Sequence, residues 1–437
     1  MNRLTGITYP LNAPVSIVWD ANGKTLTRGS YEERITLDGF GRVVSTTRAD
    51  TALGISITQT LKYDIHSNKL FESYPNSEAG VSYAYDILKR LTTLQHPDGA
   101  LRSYVYGAGE VTETDERGNS TNYLHRSFGD PDKGKVLVQI TAPNDLYTIL
   151  DYNLLNLPTS IFQGELTTTG SFSGYTRRLS YDSRYFLASV SDPETGVTAY
   201  GRDEVGNMIS HQVGSSGVTA YTYDALNRQV FSDYPGTTPD VTKSYDADGH
   251  LTKLTNSQAV IDHRYDENDN LIEKVLTLDA VPYALNFTYN ALDGLATLTY
   301  PSGRVVDYFP DAFGRPTRAA PYVSGVSYHP SGQLARINHA NGERTEITLN
   351  ERQWISEFLH HGLAELHYAY DALGNVLDLS DPLNPAEDRA FGYDALNRLT
   401  SAQGRWGQGT LSYDALGNLR SLNLGANTER YEYSGCA

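Results

Sequence analysis

Cysteine is all but missing: Cys436 stands alone in 437 residues, which excludes an internal disulfide framework and a thiolate metal cage. Methionine occurs twice and tryptophan three times, and hydrophobic residues make up only 39%. The stock that builds helical cores is therefore thin. No apolar run approaches the roughly 20 residues needed to span a bilayer. The opening MNRLTGITYPLNAPV has no continuous apolar stretch of the secretory type. Positive charge is also short, with 35 Lys and Arg against 52 Asp and Glu, a formal −17. That balance argues against sequence-independent nucleic-acid binding and against docking on anionic membranes.

What the chain does hold is 32 Tyr and 38 Gly, strand formers and turn formers respectively. Length alone suggests two to four domains, but an internal repeat makes length a poor guide. YDALGN or YDALNR begins at Tyr223, Tyr370, Tyr393 and Tyr413. Looser copies begin at Tyr63, Tyr85, Tyr181, Tyr245, Tyr265 and Tyr289, with further matches at Trp19, Leu37, Tyr308, Tyr328 and Leu349. From Tyr181 to Tyr433 the starts advance by a mean of 21 residues. The pattern is weakest over 107–176, where Tyr106, Tyr123 and Tyr152 are degenerate starts and GDPDKGKVLV at 129–138 departs from it. No low-complexity linker or charge block marks a break. The expected organisation is one array over 1–437, about twenty hairpin units of about 21 residues.

Each unit reads as two strands and two turns. Val218–Tyr223 alternates toward opposite faces of a pleated strand. Asp224 then opens a turn, its carboxylate placed to accept the N–H two residues on. Gly374 and Gly417 fit the positive-φ slot of an Asp-x-x-Gly hairpin turn, and Asn227 and Asn397 fill the same place. A second strand follows, as from Asn418 to Leu424, and often ends at a second turn such as Pro97–Asp98–Gly99, Pro301–Ser302–Gly303 or Asn341–Gly342. One unit is one β-hairpin, so the array predicts roughly forty short strands.

Three architectures use such a unit. A propeller with two units per blade would need about ten blades, above the usual four to eight. A parallel β-helix conflicts with hairpin turns that reverse the chain. The remaining choice, all-β, is a continuous antiparallel sheet curved by twist and bulges into a spiral shell. Tyrosine suits such a wall, since its ring is apolar while its hydroxyl needs a partner or water.

YDALGNL, YDALNRL, PDGALRSYVY and SDPETGVTAYGRDEVGNM resemble the YD repeats of the RHS family. Related arrays occur in the shell-forming B and C components of insecticidal toxin complexes and in teneurins. The resemblance covers nearly the whole chain and implies a hollow β-cage, which in bacterial members encloses a variable C-terminal toxin. It also implies secretion or cell-surface display. Forty strands of this length make a sheet of roughly 4,400 Å², a sphere of about 19 Å radius. A folded toxin would barely fit, so the chain reads as a segment of a shell, or as a small cage sharing its cargo space with a partner.

The search for chemistry returns no catalytic, cofactor-binding or metal-ligating set. Family members that release their own cargo are similar to one another in a DPxG-type core after the repeats, but Asp192–Gly196 sits mid-array and reads as an inter-strand turn. The repeat runs into YEYSGCA, and no autoprotease residue carries over. Asp266–Asn270 imitates the start of an EF-hand loop, yet Leu271 and Thr277 stand where Gly and Glu are required. His360, His361, Glu365 and His367 lack an HExxH frame, and GSSGV at 214–218 ends in Val218 rather than Gly. The expected function is encapsulation, not enzymatic, with a toxin or effector polypeptide as cargo and a second shell component as a further partner. An acidic lumen suited to a basic cargo is the finer expectation. The alternative is a carbohydrate-binding or adhesion module, with Tyr221 and Tyr223 stacking on a cell-surface glycan.

Overall fold

The computed structural model describes residues 3–127 and 135–433, so Cys436 and part of the 129–138 stretch lie outside the described residues. Among the described residues there are 39 strands and no α-helix, only short 3-10 turns at Pro143–Asp145 and Pro385–Glu387. No helix among them is long and apolar enough to cross a membrane. The strands pair antiparallel in chain order, each with the next save at one interruption. Thr219–Tyr223 pairs with Gln229–Asp233, and that strand pairs with Val241–Tyr245. The 107–176 stretch follows the same order, with Leu146–Tyr152 between Lys135–Ala142 and Pro158–Leu166.

Curvature has a repeating local cause. The register shifts by one residue immediately before the motif tyrosine at Tyr223, Tyr245, Tyr265, Tyr370, Tyr393 and Tyr413. An extra residue on one strand bends it and increases the local right-handed twist. Because the shift falls at the same place in each unit, the bends add in one sense.

One interruption divides the hydrogen-bonded ladder. It runs from Gly6–Ile7 to Val305–Asp307 and resumes from Val323–Tyr328 to Asn427–Arg430. Between them lie Pro310, Pro316 and Pro321, which have no N–H to donate to a ladder. The segment is carried instead by isolated bridges, Asp307 to Ala320, Pro310 to Pro316 and Ala319 to Val323.

No greasy centre forms. Among the described residues the buried hydrophobics are Val15, Ile17, Val306 and Ala402. The accessible surface is 25,239 Å², whereas a compact monomer of this mass would expose about 16,500 Å². A surface half as large again is what a single curved layer with two accessible faces produces. The sheet is an open spiral of hairpins around unfilled space, and not a closed barrel.

Candidate functional site, a wall of tyrosine-led hairpins

The turn that names the repeat is held by one carboxylate. Asp224 Oδ1 accepts the N–H of Leu226 at 2.9 Å and of Arg228 at 2.9 Å, and Oδ2 accepts Nε of Arg228 at 2.7 Å. The Arg228 backbone N–H and then its guanidinium hold the Asp224 carboxyl below the usual carboxylate range. At Asp394 burial acts first and upward, but the Arg398 N–H and guanidinium outweigh it and the carboxyl again lies low. Asn227 and Asn397 adopt φ of 61°, and Gly374 and Gly417 φ of 94° and 87°, so Asn and Gly fill one left-handed slot as the sequence predicts.

The motif tyrosine reaches backward. Tyr223 donates its hydroxyl to the Met208 carbonyl at 2.8 Å, Tyr370 to Ile355 at 2.7 Å and Tyr413 to Leu399 at 2.8 Å. Each acceptor lies at or beside the start of the strand that leaves the previous turn. Burial pushes the Tyr223 and Tyr370 hydroxyls up, which keeps them protonated as donors. Arginine reaches forward. Arg398 Nη1 donates to the Asp414 carbonyl at 3.0 Å while its guanidinium lies 5.0 Å from the Tyr413 ring centre. Arg228 repeats both contacts on Asp246 and Tyr245. Neighbouring units are thus tied at their turns as well as along their strands. The sequence reading missed this role of arginine, although Arg recurs four residues after the turn Asp at 42, 90, 228, 315 and 398.

The two faces of the wall differ. On one lie the motif tyrosines and the aromatic or aliphatic residues two positions earlier, such as Tyr221, Tyr368 and Leu411; all three are half-buried. On the other lie small polar residues, joined across strands as Ser180–Ser189, Thr288–Thr297 and Ser412–Ser421, each at 2.7 Å. Both faces carry charge of both signs. Arg102–Glu113 and Arg177–Asp192 pair on the tyrosine face. Lys253–Asp262 and Arg336–Glu346 pair on the hydroxyl face. Many of the aspartates sit in turns, answered by backbone N–H groups. Neither face is a wall of one sign.

Contacts between residues far apart in sequence form a seam. Arg28 pairs with Asp293, 265 residues on, and Tyr31 meets Phe313 edge-on at 6.1 Å. Ala312 N–H donates to Asp50 Oδ2 at 2.7 Å. Arg352 reaches Asp98 at 3.2 Å, across 254 residues. Arg117 donates to the Tyr393 carbonyl at 3.2 Å and to Asn397 Oδ1 at 3.0 Å, and Asn418 donates to Glu194 at 2.9 Å across 224 residues. Both partners advance together along the chain, as they must when one turn of a spiral lies beside the next. One turn takes about 24 strands, which at ~4.8 Å each corresponds to a ring of about 18 Å radius.

The segments singled out in the sequence fall as follows. Asp192 and Gly196 close a hairpin as direct cross-strand partners, and Asp192 Oδ1 accepts the Glu194 N–H at 2.9 Å. Asp266 Oδ1 accepts Asn268 and Asn270 N–H groups as any repeat turn does. Residues 214–218 link two strands, with Ser216 Oγ accepting the Val213 N–H at 3.2 Å. His360 is engaged by Thr345 and Glu343 and His361 by Glu346, whereas Glu365 and His367 meet elsewhere, beside Glu357. Tyr221 and Tyr223 do not form an exposed stacking row, since both are half-buried and the Tyr223 hydroxyl is taken by Met208.

No family model matches the chain. Its fold is that of solved toxin-complex structures. It superposes on TcdB2-TccC3 without its hypervariable C-terminal region with a TM-score of 0.72 at 14% identity, over 95% of this chain and 27% of that one. It superposes on the Photorhabdus luminescens Tc holotoxin pore with a TM-score of 0.65 at 15% identity, over 96% of this chain and 26% of that one. Among curated proteins it is 24% identical to the double-stranded DNA deaminase toxin A of Burkholderia cenocepacia, over 95% of this chain and 30% of that protein. The chain therefore spans less than a third of the length of these relatives. The likeness of its motifs to the RHS repeats is matched by a likeness of fold to toxin-complex shells.

Proposed function

We propose that this chain is a wall segment of a toxin-encapsulating shell, and that the space its spiral encloses sequesters a polypeptide cargo. The observation that carries the reading is the seam: successive turns meet at sequence separations of 224 to 281 residues without a packed core inside them. A strip that returns beside itself and stays unfilled separates an inside from an outside. Its role is structural, because turns, tyrosines and arginines are consumed in holding the wall. Toxin names among its relatives support a toxin as the cargo class, and their greater length supports further shell components beside this one. The same likeness supports a place outside the producing cell for the assembly.

The test is protease protection. A short unfolded, trypsin-sensitive segment fused after Ala437 is expected to be cut at least about tenfold more slowly than the same segment free in solution, as a core-excluded site is. Equal cleavage rates would refute sequestration. Binding of the chain to a glycan array, abolished by Tyr221→Ala and Tyr223→Ala without loss of stability, would replace it with the carbohydrate reading.

A further inference from the structure

We propose that Glu357, Glu365 and His367 form a divalent-cation site of the zinc class on the hydroxyl face of the wall. Strand pairing builds it. Glu357 on Ile355–His360 lies directly opposite His367 on Ala364–Tyr370. Glu365 precedes His367 by two residues and so projects from the same face. One ligand atom from each of the three lies within 4.8 Å of the others, and His367 Nε2 stands 2.9 Å from Glu365 Oε1. Thr348, opposite Glu357 on the strand before, donates its hydroxyl to Glu357 Oε2 at 3.3 Å. That is the outer hydrogen bond a ligating carboxylate uses to fix its orientation.

Charge points the same way. Elsewhere on this face several strand acids sit opposite a base, as Asp262 does with Lys253, Glu273 with Arg264 and Glu346 with Arg336. Among the described residues Glu365 pairs with His367, and no ion pair to Lys or Arg is seen for Glu357 or Glu365. Two carboxylates and an imidazole bring acidic oxygens and a nitrogen donor to one point. One imidazole and two carboxylates suit zinc with water in the open position. Calcium and magnesium take oxygen ligands and gain nothing from the ring nitrogen.

The site does not rest on the encapsulation reading and is tested separately. Zn²⁺ titrated calorimetrically into the untagged full chain at about pH 7.5 is expected to fill one saturable site. His367→Gln and Glu357→Gln should each weaken it at least about tenfold. His361→Gln, which removes a neighbouring histidine bonded to Glu346, should leave it unchanged. Ca²⁺ should bind at least about a hundredfold more weakly than Zn²⁺. Absence of saturable Zn²⁺ binding, unchanged affinity in both His367→Gln and Glu357→Gln, loss in His361→Gln, or equal binding of Ca²⁺ would each overturn the proposal.

Discussion

The carboxylate of Asp50, only 2% exposed, accepts the backbone N–H of Ala312, 262 residues further along the chain, at 2.7 Å. Its other oxygen caps its own turn through the N–H groups of Ala52 and Leu53 at 3.0 and 3.1 Å. One side chain thus serves a local turn and the seam between two turns of the spiral. Removing it takes a charged acceptor from three part-buried N–H contacts, a loss of about 1–3 kcal/mol. Asp50→Ala should therefore lower the denaturation midpoint and speed hydrogen exchange at the Ala312 amide in particular. Unchanged protection at Ala312 would show that the seam holds without this contact.

Tyrosine hydroxyls bonded to the preceding unit predict small, additive losses. Tyr370→Phe and Tyr413→Phe each remove one donor to a strand carbonyl, at Ile355 and Leu399, and each should cost about 1 kcal/mol. The two sites share no partner, so the double variant should lose about twice as much. Equilibrium unfolding of the four chains checks this. A double variant no worse than either single would mean that the hydroxyls do not act as independent ties.

Acid should loosen the wall in two stages. Burial first, and nearby cations second, hold the His96 and His263 imidazoles below their usual range in the folded chain. The turn carboxyls of Asp224, Asp394 and Asp414 are held low as well. In each case the unfolded chain binds more protons, so stability rises with pH through the window between the two values. The histidine contribution is whole above about pH 6.5 and is lost as pH falls through the depressed folded value. The carboxylate contribution is whole above about pH 4 and is lost below it in the same way. Denaturation midpoints from neutral pH down to about pH 3 should show a shallow fall and then a steep one. His96→Gln with His263→Gln should flatten the first fall and leave the second; a midpoint that rises on acidification contradicts the scheme.

The unit was legible because its chemistry closes within five residues. Asp224 bonds Leu226 and Arg228, and the Asn227 slot turns the chain back, all inside YDALNR. The arginine tie was harder to read, since Arg398 pairs locally with Asp394 yet also acts on Asp414 and Tyr413 in the next unit. Glu357 was missed beside Glu365 and His367 for a similar reason. Strand register, not sequence distance, puts it opposite His367.

Sequence alone determined the all-β class, the hairpin as the unit and the antiparallel order, because turn residues and alternation act on their nearest neighbours. Tertiary structure alone decided how many strands complete a turn, which residues meet at the seam and what each face presents. Those depend on a small bend repeated at every bulge, and only the sum over some two dozen strands brings Asp50 to Ala312 and Arg117 to Asn397.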